Sequence, residues 1–337
     1  MAFRAGAGRV RRGRSRGPVK RIRFWGTRGS LPVSLTAEDV RRKMVAALRG
    51  ASGRTFASNR DINEYLDGLD LAVAGTYGGH TSCVELETGG TEHVLCDLGT
   101  GLRPFGQAAH KRRRSGAPQT FHIFVSHMHW DHIMGLPFFE PAYVPGNRVC
   151  FYGGHAELEA TLRRQQDPLS FPVGFPALQA DIEFTRLETG RRYDIAGMSV
   201  TAKLQRHTGD SYGYRFESGG RNVVYTTDSE HKLVDPGETA SFVEFFRDAD
   251  VVIFDAMYSL ADATSVKMDM GHSSNIVGVE LCQQAGARHL CLFHHALSND
   301  DEAISQLLVD TRRLEEITRS GAPLRITAAY DGMDILL

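Results

Sequence analysis

The chain has 337 residues, carries 39 Lys+Arg against 40 Asp+Glu for a formal net charge of −1, and is 42% hydrophobic and 23% charged. This ordinary globular composition excludes a disordered chain, a collagen-like repeat and a small disulfide scaffold, and no run of about 18 apolar residues offers a membrane span. The net charge averages two unlike parts: residues 1–23 hold nine basic residues and no acid, while residues 24–337 hold 30 basic and 40 acidic.

Taken in order, the start (MAFRAGAGRVRRGRSRG) has arginines but lacks the apolar centre of a secretory leader. It reads as a flexible, solvated basic arm over 1–19, of a kind also suited to nucleic acid or an anionic surface. Apolar alternation predicts strands over 20–24, 82–87, 92–97, 121–126, 198–204, 212–217, 222–227, 251–255, 289–293 and 324–328. Helical spacing predicts helices over 37–48, 102–111, 155–165, 238–247, 274–285 and 300–318. Strands come in pairs before helices follow, which fits mixed sheets with helices outside better than a strict βαβ series. No internal repeat is present.

Two stretches read as insertions into a single domain over 20–337. The first, about 34–75, starts with a helix that Thr36 can cap, with Val40, Met44, Ala47 and Leu48 on one face and Gly50 after its end. The second, about 155–190, interleaves Pro168, Pro172 and Pro176 with Phe171 and Phe175, as a lid or pocket wall would, or an excursion packed on itself. Cys83, Cys96, Cys150, Cys282 and Cys291 are odd in number and lack a CxxC pair, so they read as reduced thiols of a cytoplasmic protein.

The chain has 14 histidines, and the segment FHIFVSHMHWDHIMGL (121–136) concentrates them. An apolar strand ends at Ser126, and His127, His129, Asp131 and His132 follow before a helical run. Alternation at the strand exit turns His127 and His129 to one side, and the entry into the helix brings Asp131 and His132 to an adjacent position. Four strong ligands within six residues, at the end of a buried strand, would be costly to bury unpaired. The pattern therefore points to metal. Trp130 is expected to pack under the site, and Tyr212, Tyr214 and Arg215 read as core.

HxHxDH after a strand resembles the hallmark of the metallo-β-lactamase fold superfamily. The resemblance continues at His207 (LQRHTGD), Asp228 (YTTDSE) and His294 (CLFHH), the last chosen over His295 because it directly follows the apolar strand. It implies a four-layer αβ/βα sandwich, an α/β fold with mixed sheets and helices outside. It also implies that His127, His129 and His207 hold one metal, that Asp131, His132 and His294 hold a second, and that Asp228 bridges. Five His and two Asp make a mixed N/O set suited to Zn²⁺, with Mn²⁺ or Fe²⁺ as alternatives. A metal pair of this kind lowers the pKa of a bridging water and makes a hydroxide nucleophile.

RFWGTRGSLP (23–32), TYGGHTSCVEL (76–86), LCDLGTGLRPFG (95–106), DAMYSLAD (255–262), GHSSNIVGVELCQQAGARHLCLFHH (271–295) and DGMDI (331–335) are similar to the branch of that superfamily holding phosphoribosyl cyclic phosphodiesterases and RNase Z. The resemblance implies that His272 protonates the leaving alkoxide or binds a phosphoryl oxygen, with Asp131 and His272 as the catalytic pair. Ser273 and Ser274 are N-cap candidates. Gly26, Gly29, Gly78, Gly79, Gly99 and Gly101 are expected to shape turns whose N–H groups face an anion at the floor of the site. Asp97 is expected to brace that loop or a ligand histidine, and His80 to brace a loop. His93, His110, His122, His155, His231 and His289 have no ligand-like spacing.

The expectation is a binuclear phosphodiesterase acting on a small cyclic phosphodiester or cyclic nucleotide, because the body is net negative. The alternatives are an RNase Z-like nuclease, favoured by the basic arm, and a lactonase or thioesterase on the same metals. A homodimer is expected from related folds, and no membrane partner.

Overall fold

A computed structural model describes residues 17–112, 116–233, 235–258 and 271–337. The arm up to residue 16 and the end of the 255–262 motif lie outside the described residues. Val19 is buried in the core, so the folded part begins before residue 20, where the arm was expected to end.

Fourteen strands among the described residues form two seven-stranded sheets. Sheet one has the order β14-β1-β2-β3-β4-β5-β6, from β1 (Arg21–Gly26), β2 (Cys83–Glu87), β3 (Glu92–Cys96), β4 (Thr120–Phe124), β5 (Arg148–Gly153), β6 (Asp181–Arg186) and β14 (Asp334–Leu336). Sheet two has the order β13-β12-β11-β10-β9-β8-β7, from β7 (Arg192–Ile195), β8 (Met198–Gln205), β9 (Ser211–Ser218), β10 (Arg221–Thr226), β11 (Val251–Asp255), β12 (His289–Phe293) and β13 (Arg325–Ala328). Each sheet is antiparallel on one side (β14 to β3, β7 to β10) and parallel on the other (β3 to β6, β10 to β13).

Side-chain alternation sets the layers. Phe24, Val84, Cys96 and Phe124 of sheet one meet Val200, Tyr214, Phe216, Tyr225, Ile253 and Phe293 of sheet two in a core between the sheets. The alternate residues face helices. Phe121, Ile123 and Phe151 pack on α4 (Leu102–Arg112) and α6 (Leu158–Gln165), and Val252, Phe254 and Leu292 pack on α7 (Pro236–Phe246), α8 (Asn275–Gln284) and α9 (Asp301–Thr318). The result is the expected four-layer αβ/βα sandwich. No helix of the described residues is long and apolar enough to cross a membrane.

Two expectations need correction. The stretch 155–190 is not wholly an excursion: β6 pairs in parallel with β5 along its whole length and forms the edge of sheet one. Its polar, exposed sequence (DIEFTR) hides a strand because an edge buries little. The stretch 34–75 forms α1 (Ala37–Gly50), α2 (Asn59–Asp67) and α3 (Leu71–Ala74). Thr36 caps α1 in a capping box with Asp39, but the helix runs through Gly50 and buries no residue. Its apolar face looks into solvent, with Met44 59% and Leu48 70% exposed.

Candidate metal centre

Strand direction gathers the site. Asp97 follows β3, His127 follows β4, Asp228 follows β10, Asp255 ends β11 and His294 follows β12, so all stand at carboxyl ends of parallel strands. β9 is antiparallel to both β8 and β10, which puts the end of β8, and His207 beyond it, at the same edge. Asp97, Asp228 and His294 adopt positive φ (62°, 48° and 60°), as does Ser30 (66°). Non-glycine residues held there carry strain, and four of the seven among the described residues cluster here.

The residues form two adjoining groups. His127, His129 and His207 offer ligand atoms within 4.8 Å of one another, and so do Asp131, His132, Asp228 and His294. Asp228 divides its oxygens between them. Oδ1 lies 3.8 Å from His127 Nε2 and 3.7 Å from His207 Nε2, while Oδ2 lies 3.1 Å from His132 Nε2 and 3.3 Å from His294 Nε2. The two ring nitrogens His207 Nε2 and His129 Nδ1 face each other at 3.1 Å. Asp131 Oδ2 lies 3.1 Å from both His132 Nε2 and His294 Nε2, and accepts a 2.7 Å hydrogen bond from the Ser30 amide.

Groups outside the clusters set which nitrogen is free. His132 Nδ1–H donates to Asp97 (2.8 Å) and His207 Nδ1–H to the Gly271 carbonyl (2.7 Å), which leaves each Nε2 facing the cluster. Burial opposes charge on His132, but Asp131, Asp228 and Asp97 raise it well above the usual histidine range. His127 Nε2 is buried with no hydrogen-bond partner. Lone pairs converging from imidazole and carboxylate, one of them orphaned, suit borderline divalent cations. Burial and then the neighbouring His132 hold His127 well below the usual histidine range, in the neutral ligand form. Burial opposes charge on Asp228, yet His294, His132 and His127 keep its carboxyl well below the usual range.

Several expectations are met in detail. Asp97 is fully buried and accepts from the Ser126 amide (2.7 Å), the Ser126 hydroxyl (2.8 Å), Tyr225 OH (2.7 Å) and His132, so it braces a candidate ligand histidine and ties the two sheets. His80 contacts the Thr100 hydroxyl at 3.2 Å. His295 points away from the cluster and donates Nε2–H to the Ala329 carbonyl. Tyr214 is core, with its hydroxyl on the Val125 carbonyl, and Tyr212 packs edge-on against His155. Arg215 donates to the carbonyls of Phe245 and Arg247. Of the two N-cap candidates only Ser274 takes that position, without a side-chain cap bond, while Ser273 instead donates its Oγ–H to the Ser229 carbonyl.

Two are corrected. Trp130 does not pack under the site; it is 76% exposed. The glycine amides do not await a ligand anion, because those of Gly29, Gly78, Gly79, Gly99 and Gly101 already donate to protein acceptors. Close approach explains the glycines better: a Cβ on Gly29 would overlap the His294 ring, and one on Gly99 the Asp131 carbonyl. The GT, GGH and DGM motifs close one knot, in which the Asp331 carboxylate accepts from the Gly79 and His80 amides (2.9 Å each) and the Thr27 hydroxyl (3.2 Å).

Asp255 was not singled out as a candidate in the sequence. Fully buried, it accepts His272 Nδ1–H at 2.9 Å, and the His272 ring stacks on His294 at 5.3 Å. Burial opposes the charge, but Asp255 raises His272 to about 9, so the ring is protonated at neutral pH. The signal available was a carboxylate ending an apolar strand.

Fold and site together define a metallo-β-lactamase-type hydrolase, an enzyme that depends on metal. The chain belongs to the family described as "Beta-lactamase superfamily domain", whose model matches residues 92–295. It is 29% identical to the Ribonuclease Z of Staphylococcus haemolyticus over 61% of this chain and 78% of that protein. Among solved structures, the metallo-beta-lactamase fold protein YhfI from Bacillus subtilis superposes with a TM-score of 0.62 at 17% identity, covering 95% of this chain and 99% of that one. The short form of human tRNase Z gives 0.57 at 18% identity, covering 94% and 98%.

Proposed function

We propose that the two clusters hold two divalent metal ions, Zn²⁺ in the first instance, and that the enzyme hydrolyses a phosphodiester. His127, His129 and His207 would hold one ion, Asp131, His132 and His294 the other, with Asp228 shared. The observation that carries this reading is the division of Asp228, one oxygen toward each histidine group. When bound, such a pair neutralises phosphate charge and supplies a water of low pKa.

The chain's own residues do the rest. Ser30 N–H aims Asp131, and Asp97 and Gly271 set the tautomers of His132 and His207. His272, protonated through Asp255, gives its proton to the departing alkoxide oxygen. Phosphodiester chemistry is supported by relatives named Ribonuclease Z. A small substrate, such as a cyclic phosphodiester or cyclic nucleotide, is favoured by the 40 acidic against 30 basic residues of 24–337. Those relatives favour a second reading, an RNA substrate engaged through the basic arm. We infer one catalytic domain with α1–α3 inserted; five free, buried cysteines agree with a reducing, cytoplasmic setting.

The test is metal content together with turnover of bis(p-nitrophenyl) phosphate, a panel of cyclic nucleotides and a precursor tRNA. Two metals and turnover are expected, with Asp228→Ala losing both. No bound metal and no turnover with Zn²⁺ or Mn²⁺ would overturn the reading. Deleting residues 1–16 separates the substrates: weaker, less salt-sensitive RNA binding marks the nuclease.

A further inference from the structure

The sequence between Phe121 and Pro137 is almost entirely buried, and His129 and Trp130 are the two residues in it that are exposed. His129 nevertheless faces His207 inside the first histidine group. Among the described residues, His129 is the exposed member of that group, and Trp130 stands next to it along the chain. Asp131, His132 and Ile133 complete α5 (Trp130–Ile133) and are buried, so the turn itself rotates the indole outward.

An indole 76% exposed between two candidate metal ligands forgoes a large burial gain. It has no ring or cation partner among the described residues. A few residues on, Phe138 is 52% exposed and meets Phe171 edge-on at 5.3 Å, which adds aromatic surface on the same stretch of chain. The body is net acidic, so the metals must carry the phosphate charge, and the rest of an anionic substrate needs contacts that are not ionic.

We propose that Trp130 is a specificity-determining platform on which the planar base of a nucleotide phosphodiester stacks while its phosphate sits at the metal centre. This rests on the phosphodiester reading and names its substrate class. Stacking on an aromatic face tolerates every base and strengthens binding several-fold to a hundredfold.

The test compares two chromogenic esters with one leaving group, thymidine 5′-(p-nitrophenyl) phosphate and methyl p-nitrophenyl phosphate, on the Zn²⁺-loaded full chain. Trp130→Ala should lower kcat/KM for the thymidine ester about tenfold or more and leave the methyl ester within about twofold, with Trp130→Phe in between. An equal change on both esters, or none, overturns the proposal. A binding readout stands apart from turnover. Trp130 is one of two tryptophans, and the other, Trp25, lies against Phe105 and under Arg23. Thymidine 5′-monophosphate should quench the fluorescence of the parent chain, and Trp130→Phe should abolish the quenching. No quenching, or quenching that survives the substitution, also overturns it. If the metal-loaded parent hydrolyses neither ester, the phosphodiesterase reading fails by itself and the quenching titration still decides the stacking.

Discussion

Replacing Asp97 with asparagine tests how the two sheets hold the centre together. Asparagine tolerates the φ of +62° at this position, so the change isolates the side chain from backbone strain. The carboxylate accepts the Ser126 amide on Oδ1, and the Ser126 hydroxyl, Tyr225 OH and His132 Nδ1–H on Oδ2. An amide must place its NH₂ at one of these points. At Oδ1 it confronts a backbone N–H. At Oδ2 it confronts the Nδ1–H of His132, which then has no acceptor. Each buried group left unsatisfied costs about 1–3 kcal/mol, and hydrogen bonds to a charge are worth about 1.5–3 kcal/mol each. We expect the metal-free protein to lose about 3–5 kcal/mol in urea unfolding. Metal affinity, read by chelator competition, should fall about 10- to 100-fold. Stability within about 0.5 kcal/mol of the parent with unchanged metal affinity would refute the reasoning.

Asp255→Asn removes the charge that raises His272 to about 9, so the basic limb of the kcat profile should move to lower pH while metal content holds. Because the folded pKa is raised, the pair's stabilisation is full below about 6.5 and is lost as pH rises through about 9. Gly29→Ala should displace the His294 ring and lower metal occupancy, measured by elemental analysis, although the residue is no ligand. His231 is buried between Phe242 and Phe254, and burial pushes it down to about 3. The unfolded chain therefore takes up the proton first, and stability should fall by up to about 5 kcal/mol as pH drops from about 6.5 toward about 3. Acid titration of His231→Phe should show a shallower decline.

The contiguous candidate ligands were legible because strand exit and helix entry act over a few residues: the spacing of His127, His129, Asp131 and His132 alone points to a metal site. The central strands were legible for the same reason, since β4, β11 and β12 are buried on both faces and are mostly apolar along their length. Missed were β6 and β7, polar edge strands, β14, three residues long, and β5, which opens on an exposed arginine. Such strands exist because a neighbour supplies their hydrogen bonds, and that neighbour is far away in sequence.

The amino-acid sequence by itself determined the chemistry on offer: imidazole and carboxylate donors at strand ends, and a histidine opening the helix that follows residue 274. Only the tertiary structure decided how they meet. Asp228 faces two histidine groups through two different oxygens, Asp255 finds His272 across 17 residues, and Asp97 reaches Tyr225 across 128. Tautomer and protonation depend on separations of about 3 Å, which parallel strand register between distant segments sets and no local pattern encodes. The same holds for Trp130, whose neighbours are candidate ligands but whose exposure follows from the rotation of a single helical turn beside the site.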